Sequence, residues 1–220
     1  MDDMRAPAAA EDEAPFLRRA ARAAREGGAR EVCMRALALA GYRRLTVYVR
    51  ELGDHYEPPP DPVTTGPLDD VQTHRAVRPR VPRAEVDRRL ARGDLCGVAR
   101  IGDEIVGVRW LAFERAVVDY LGLAFDLPPD VAYIYDAWTR PNARGAGVSR
   151  ALSGWTDSHL RERGGRWALS AILPENRVVS RRNLPIRRVG TIAVLRLPGR
   201  RIPLRRGVPL EVLGTPTPLR

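Results

Sequence analysis

The sequence predicts an α+β fold, a mixed and mostly antiparallel sheet flanked by helices, with a helical extension ahead of it. Three observations carry that reading. Residues 96–101 and 105–113 are rich in β-forming side chains and flank Gly102-Asp103-Glu104, a β-hairpin pattern. Residues 132–139 read as a buried strand and run through a glycine turn into a helical pattern over 148–163. Residues 167–173 and 189–197 then supply two further strands.

In chain order, residues 1–12 are acidic and alanine-rich and are expected to be disordered. Phe16, Leu17, Ala20, Ala21 and Ala24 recur at helical spacing up to Gly27-Gly28. Val32, Ala36 and Leu39 share a face of a second helix that Gly41 stops. The arginines between them fit a solvated helix face, or an arm for nucleic acid. Leu45-Thr46-Val47-Tyr48-Val49 is the first strand. Pro58, Pro59, Pro60, Pro62 and Pro67 make residues 53–68 a loop. Pro82 suits the first turn of a helix ending at Gly93, with Val86 and Leu90 on one face. Another helix is expected around residues 115–125. The helix over 148–163 places Val148, Leu152 and Trp155 on its apolar face and stops at Gly164-Gly165. The chain thus divides into a disordered acidic N-terminus (1–12), a helical extension (13–44), a folded domain (45–200) and a basic tail (201–220).

Composition excludes several classes. A chain of 220 residues holds one domain plus an extension. No apolar run reaches the ~18–20 residues that cross a bilayer. The acidic start is the wrong charge for a signal peptide, so a cytoplasmic protein without membrane contact is expected. Cys33 and Cys96 are the only cysteines, and His55, His74 and His159 lie far apart, so neither a disulfide framework nor a metal site is expected. The net charge is +10 and all 37 basic residues are arginine. Such a surface attracts polyanions.

The chemistry lies in the strand, glycine turn and helix. Glycines let a backbone approach an anion closely, and amides at a helix start point at it. Gly145 and Gly147 make the turn and Arg144 adds a fixed positive charge. There is no Walker lysine and no Rossmann glycine triplet, so neither a nucleoside-triphosphate loop nor a dinucleotide fold is indicated.

Thr139-Arg140-Pro141, followed by Arg144-Gly145-Ala146-Gly147-Val148-Ser149, resembles the coenzyme A loop of the GNAT superfamily of N-acyltransferases. That loop reads Arg or Gln, two residues, Gly, one residue, then Gly or Ala. Counted from Arg144 it ends in Ser149. Counted from Asn142 it ends correctly in Gly147, with Asn replacing Arg or Gln. Pro174-Glu175-Asn176 followed by Ser180 is similar to a segment where a family asparagine opens the next helix. The resemblance covers about residues 65–200.

The resemblance implies a GNAT fold and transfer of an acyl group, acetyl first, from acyl-CoA to an amine, without a metal. It implies pyrophosphate on Arg144, Gly145, Ala146, Gly147, Val148 and Ser149. Pantetheine would lie between the strands ending near Thr139 and Leu173, next to Asn176. A main-chain N–H around Ala137, Trp138 or Thr139 would face the thioester carbonyl. Asp136 is the first candidate for a general base, and the same position suits a structural aspartate. Tyr133 and Tyr135 alternate with Asp136, so they are expected on the opposite face, as acceptor-cleft wall or as core. Many relatives use a later tyrosine to protonate the departing thiolate. Here no tyrosine follows Tyr135, and Ser180 is the candidate in that region, or else a helix cap. The partners implied are acyl-CoA and an amine acceptor. The N-terminal extension would cover the acceptor cleft or pair two copies as a homodimer. Two rivals stand beside this reading: an inactive GNAT-like coenzyme A binder, and a basic nucleic-acid-binding protein.

Overall fold

One parallel strand pair sits in the middle of a sheet that is otherwise antiparallel, and the fold is organised around it. The computed structural model describes residues 36–52, 60–68, 78–174, 186–209 and 212–219, together with Cys33, Val71 and His74. The main sheet holds β1 (Tyr42–Glu51), β2 (Val63–Pro67), β3 (Leu95–Ile101), β4 (Glu104–Ala112), β7 (Val131–Thr139), β8 (Trp167–Ile172), β9 (Arg187–Leu197) and β10 (Arg200–Arg206). Their order is β10-β9-β1-β8-β7-β4-β3-β2. A second sheet holds β5 (Arg115–Val118), β6 (Leu123–Asp126) and β11 (Pro216–Pro218). Two helices, α1 (Arg83–Ala91) and α2 (Val148–Glu162), pack on the main sheet. Among the described strands of the main sheet only β7 and β8 run parallel, with α2 crossing over between them, whereas short turns join the antiparallel neighbours β3–β4 and β9–β10.

Side-chain alternation gives each face of the sheet its own cover. Val47, Val49, Tyr133, Leu169, Ile192 and Val194 pack against Val118, Leu121, Leu123 and Phe125 of the small sheet. Beside them, Val86 of α1 meets Val98, Val108 and Trp110. On the other face α2 sets Val148, Ala151 and Leu152 on Ala99 and Val106, and Leu160 on Leu111, Ala132 and Ala168. Trp155 lies so close to the sheet that a β-carbon on Gly97 would be 2.2 Å from its ring, so only glycine fits there.

The mixed, mostly antiparallel α+β architecture is as the sequence predicts, and four details differ. Residues 63–67 form β2 where the prolines read as loop. As an edge strand bounded by Pro62 and Pro67, it tolerates residues that a central strand would not. The helix expected around residues 115–125 is instead the β5–β6 hairpin. Its β-branched Val117-Val118 run pairs with Leu123-Ala124, and Gly122 turns the chain at φ +66. Helix α1 buries Val86 and Arg89 and leaves Leu90 41% exposed, because Arg89 has carboxylate partners inside. Residues 201–206, set with the basic tail by charge alone, belong to β10 on the edge of the main sheet. The expected disorder of residues 1–12 and the first extension helix lie outside the described residues; residues 36–39 are helical. No helix among the described residues is long and apolar enough to cross a membrane.

His74 is fully buried, and its Nε2 accepts a hydrogen bond from the Trp110 indole N–H at 3.3 Å. Burial holds its pKa below the ordinary 6.5; Asp136 opposes this, while Arg89 and Arg78 reinforce it. A histidine kept neutral in the fold contributes stability that is present above its unfolded pKa and lost as pH falls towards its folded one. Thermal melts should therefore show Tm falling from about pH 6.5 to 5.5. His74→Gln should lower Tm at neutral pH and flatten that slope.

Candidate active site where two strands part

β7 and β8 are paired only between Val131–Tyr133 and Trp167–Leu169. Beyond Tyr133, β7 stays on β4 as far as Thr139, while β8 stays on β1 as far as Ile172. Each strand follows its outer neighbour, and a wedge opens between them. The cleft has a volume of about 1130 Å³ and takes in Ile134–Thr139 on one wall and Ser170–Leu173 on the other. From Ile134 onward the β8-facing edge of β7 has no ladder partner, so main-chain donors and acceptors face the cleft.

A bulge shapes the β7 wall. Val108 pairs with Trp138 and Trp110 with Tyr135, so Asp136 and Ala137 together oppose Arg109. An extra residue of this kind bends its strand and increases the local twist. Asp136 carries it at φ +43, in the left-handed region that aspartate tolerates better than most residues. Both carboxylate oxygens are engaged: Oδ2 accepts from Arg89 Nη1 at 2.7 Å, and Oδ1 pairs with Arg78 Nη2 at 2.8 Å. Arg89 also donates from Nε to Glu85 at 2.9 Å, and its guanidinium lies 5.1 Å from the ring centroids of both Trp110 and Tyr135.

The bulge also corrects the strand parity. Arg89 touches Asp136 and the Tyr135 ring at once, so the two side chains lie on the same, α1-facing side rather than on opposite faces. The extra residue cancels one step of the alternation. Tyr133 stacks on Tyr135 at 5.6 Å, and the Tyr135 hydroxyl donates to Asp94 at 2.7 Å. Burial, then the bond to Asp94, pushes the Tyr135 phenol well up; burial, then Asp119, does so for Tyr133. Both remain protonated donors at neutral pH. The buried Cys96 thiol is pushed up to about 12, which rules it out as a thiolate nucleophile.

The glycine turn forms the mouth. Gly145 and Gly147 adopt φ +91 and +77, and Gly147 opens α2 with no side-chain cap and no acidic residue in the first turn. The first amides of α2 are thus left for an outside acceptor. A β-carbon on Gly145 would meet open space, whereas one on Gly147 would strike Pro60 at 2.4 Å. Beneath the first turn, the buried Arg109 donates to Ser153 Oγ at 3.0 Å and to the Ser149 carbonyl at 3.3 Å. Helix field and guanidinium together make this end of the cleft favour a negative charge.

Tyr133, Tyr135, Asp136, Ala137, Trp138, Thr139, Arg144, Gly145, Gly147, Val148 and Ser149, singled out in the sequence, all line this one cleft, and Ala146 lies within the same turn. Asn176 and Ser180 lie outside the described residues. Sequence reasoning missed Arg78, Arg89, Arg109 and Asp119. Among 37 basic residues no composition signal separates a buried arginine from a surface one. The spacing of Glu85 and Arg89, one helical turn apart beside Val86, was the one local cue.

No family model and no curated protein matches the sequence. Among solved structures the chain is similar to a GCN5-related N-acetyltransferase from Kribbella flavida, with 15% identity, 76% of this chain and 62% of that chain covered, and a TM-score of 0.48. It is also similar to a GCN5-related N-acetyltransferase from Sphaerobacter thermophilus, with 17% identity, 82% and 59% covered, and a TM-score of 0.47. A third likeness is to AAC(6′)-Iy in complex with a CoA-containing bisubstrate analogue, with 15% identity, 54% and 84% covered, and a TM-score of 0.43. The chain thus spans less than two thirds of the first two structures.

The bulge predicts a stability effect. Asp136→Ala removes the shared partner of Arg78 and Arg89 and should cost about 3 kcal/mol in urea unfolding, as for breaking other buried ion pairs. Asp136→Asn should cost less, because one hydrogen bond to a guanidinium survives.

Proposed function

We propose that this chain is an acyl-CoA-dependent N-acyltransferase that moves an acyl group, acetyl first, to a primary amine. The single observation behind it is the juxtaposition of the β7–β8 wedge, with its unpaired strand edge, and the uncapped glycine entry to α2. A wedge suits a slender amide-bearing arm, which can bond to strand edges as a further strand would. A helix start with open glycine geometry suits the pyrophosphate at the other end of the same molecule.

In this reading the amides of Gly145, Gly147, Val148 and Ser149 hold the pyrophosphate, with Arg144 beside them. Ala146 keeps the turn small. Pantetheine runs between β7 and β8, with Asn176 proposed as a further contact, and a main-chain N–H of Ala137–Thr139 faces the thioester carbonyl. Attack by the neutral amine forms the C–N bond and places negative charge on that oxygen, which the N–H stabilises. Collapse breaks the C–S bond and releases coenzyme A as thiolate. One such donor typically contributes ~2.7–4 kcal/mol to the transition state.

The amine must shed a proton before it attacks. A lysine-like amine with pKa ~10.4 is less than about a thousandth neutral at pH 7. Asp136, with one oxygen on each of two arginines, serves the reaction through the bulge it holds, and the proton leaves through water in the cleft. A thiolate with pKa ~8.5 departs without a dedicated acid, and Ser180 is proposed as a sulfur-side donor. Tyr133 and Tyr135 then wall the acceptor side. The engaged Asp136, with no tyrosine after Tyr135, also fits a second reading, a chain that binds acyl-CoA without turning it over.

Calorimetry of the purified chain with acetyl-CoA should show saturable binding that Gly145→Val abolishes, since a side chain would stand where the anion approaches. Thiol release with a panel of amines should then show kcat/KM rising with pH as the amine deprotonates. Binding without thiol release would select the second reading. No binding to acetyl-CoA or longer acyl-CoAs would overturn both.

A further inference from the structure

A second cationic site lies away from the glycine turn, on the other half of the main sheet. Arg196 of β9 and Arg201 of β10 stand directly opposite each other across the strand pair. Like charges in that register are destabilising, so the pair calls for a reason. Arg43 of β1, opposite Val194, lies diagonal to Arg196.

The three converge on the β5–β6 turn. Arg43 donates to the Tyr120 carbonyl at 3.0 Å with its guanidinium over the Tyr120 ring, and Arg201 Nη1 donates to the Gly122 carbonyl at 3.2 Å and the Leu219 carbonyl at 2.9 Å. A β-carbon built on Gly122 would lie 2.7 Å from Arg201 Nη1 and 3.3 Å from Arg196 Nη2. Two guanidinium nitrogens therefore sit no more than 2.7 plus 3.3, or 6.0 Å, apart over a residue without a side chain.

Nothing in the described structure neutralises them. Arg43, Arg196, Arg200 and Arg201 have no carboxylate partner among the described residues, and the buried Nε of Arg196 has no hydrogen-bond acceptor. Arg196, Arg200 and Arg201 line an open recess of about 600 Å³ together with Pro218 and Leu219. Partial desolvation, then Arg43 and Arg201, lower the Arg196 pKa, the direction expected where positive charges crowd. Gathered guanidiniums with spare N–H donors match an oxyanion bearing more than one charge, which can accept several charge-assisted bonds at once.

We propose that Arg43, Arg196 and Arg201 form a second anion site, which takes a small soluble phosphoryl compound. The site is independent of acyl-CoA binding: it lies on β1, β9 and β10, whereas the cleft opens between β8 and β7. Gly122, having no side chain, leaves room for the Arg201 and Arg196 guanidiniums to come together over the turn.

Thermal melts of the full chain with inorganic pyrophosphate, against sodium chloride of equal ionic strength, test it. The wild type should gain stability with pyrophosphate in a saturable manner, as a ligand of the folded state requires. Arg196→Met should fold at least as stably, since a like-charge pair is relieved, and should bind pyrophosphate at least about tenfold more weakly. Gly122→Asp keeps a residue that tolerates positive φ, sets a carboxylate between the arginines, and should abolish the response. An equal response in wild type and both variants would place the anion at the glycine turn or in bulk salt effects and overturn the proposal. So would the absence of any response in the wild type beyond that of chloride, or a response to duplex DNA alone.

Discussion

The structure turns on one residue in an uncomfortable conformation. Asp136 sits at positive φ in the middle of a central strand, where nearly every other residue type would relax to a regular extended form. It stays because Arg78 and Arg89 each hold one of its oxygens, and Arg89 is in turn fixed by Glu85 and by the rings of Trp110 and Tyr135. The ion pairs stabilise a local geometry more than the global fold, because two charges drawn out of water give back much of what their attraction gains. What they secure is the extra residue in β7, and with it the outward bend that separates β7 from β8.

Sheet topology then turns a local bend into a site. A parallel pair in a mostly antiparallel sheet needs a crossover, and α2 is that crossover, so the start of α2 stands over the place where the strands part. Ligands of open sheets with parallel strands gather beyond the carboxyl ends of those strands, where neighbouring loops diverge. Here the divergence is within the sheet itself. The outer ladders to β4 and β1 hold each wall of the wedge along its length. Gly145 and Gly147 have separate duties: one leaves space at the mouth, the other lets Pro60 approach.

The sequence made the hairpin, the central strand, the glycine turn and α2 legible, since each depends on local periodicity or on glycine at a fixed place. Their observed bounds, such as Val131–Thr139 and Val148–Glu162, differ from the expected ones by a residue or so. What was not legible depended on tertiary partners. Residues 115–125 carry alanine, leucine and arginine enough for a helix, and only pairing across Gly122 and burial against the main sheet make them a hairpin. The bulge left no mark in the sequence, so the parity of Tyr135 against Asp136 was read one step out. Arg89 and Arg109 could not be told from their many exposed counterparts, because burial of a charge depends on partners that spacing does not reveal.

The central claim is that the space between β7 and β8, with the glycine turn at its mouth, takes an acyl-CoA. Hydrogen exchange of the full chain with and without acetyl-CoA tests it at the level of single segments. The account predicts slower exchange confined to the amides lining the cleft, in residues 134–139 and 144–149 and at most also 170–173 of the facing wall, with β10 and the β5–β6 hairpin unchanged. Protection elsewhere, or none in residues 134–139 and 144–149 at saturating acetyl-CoA, would contradict it.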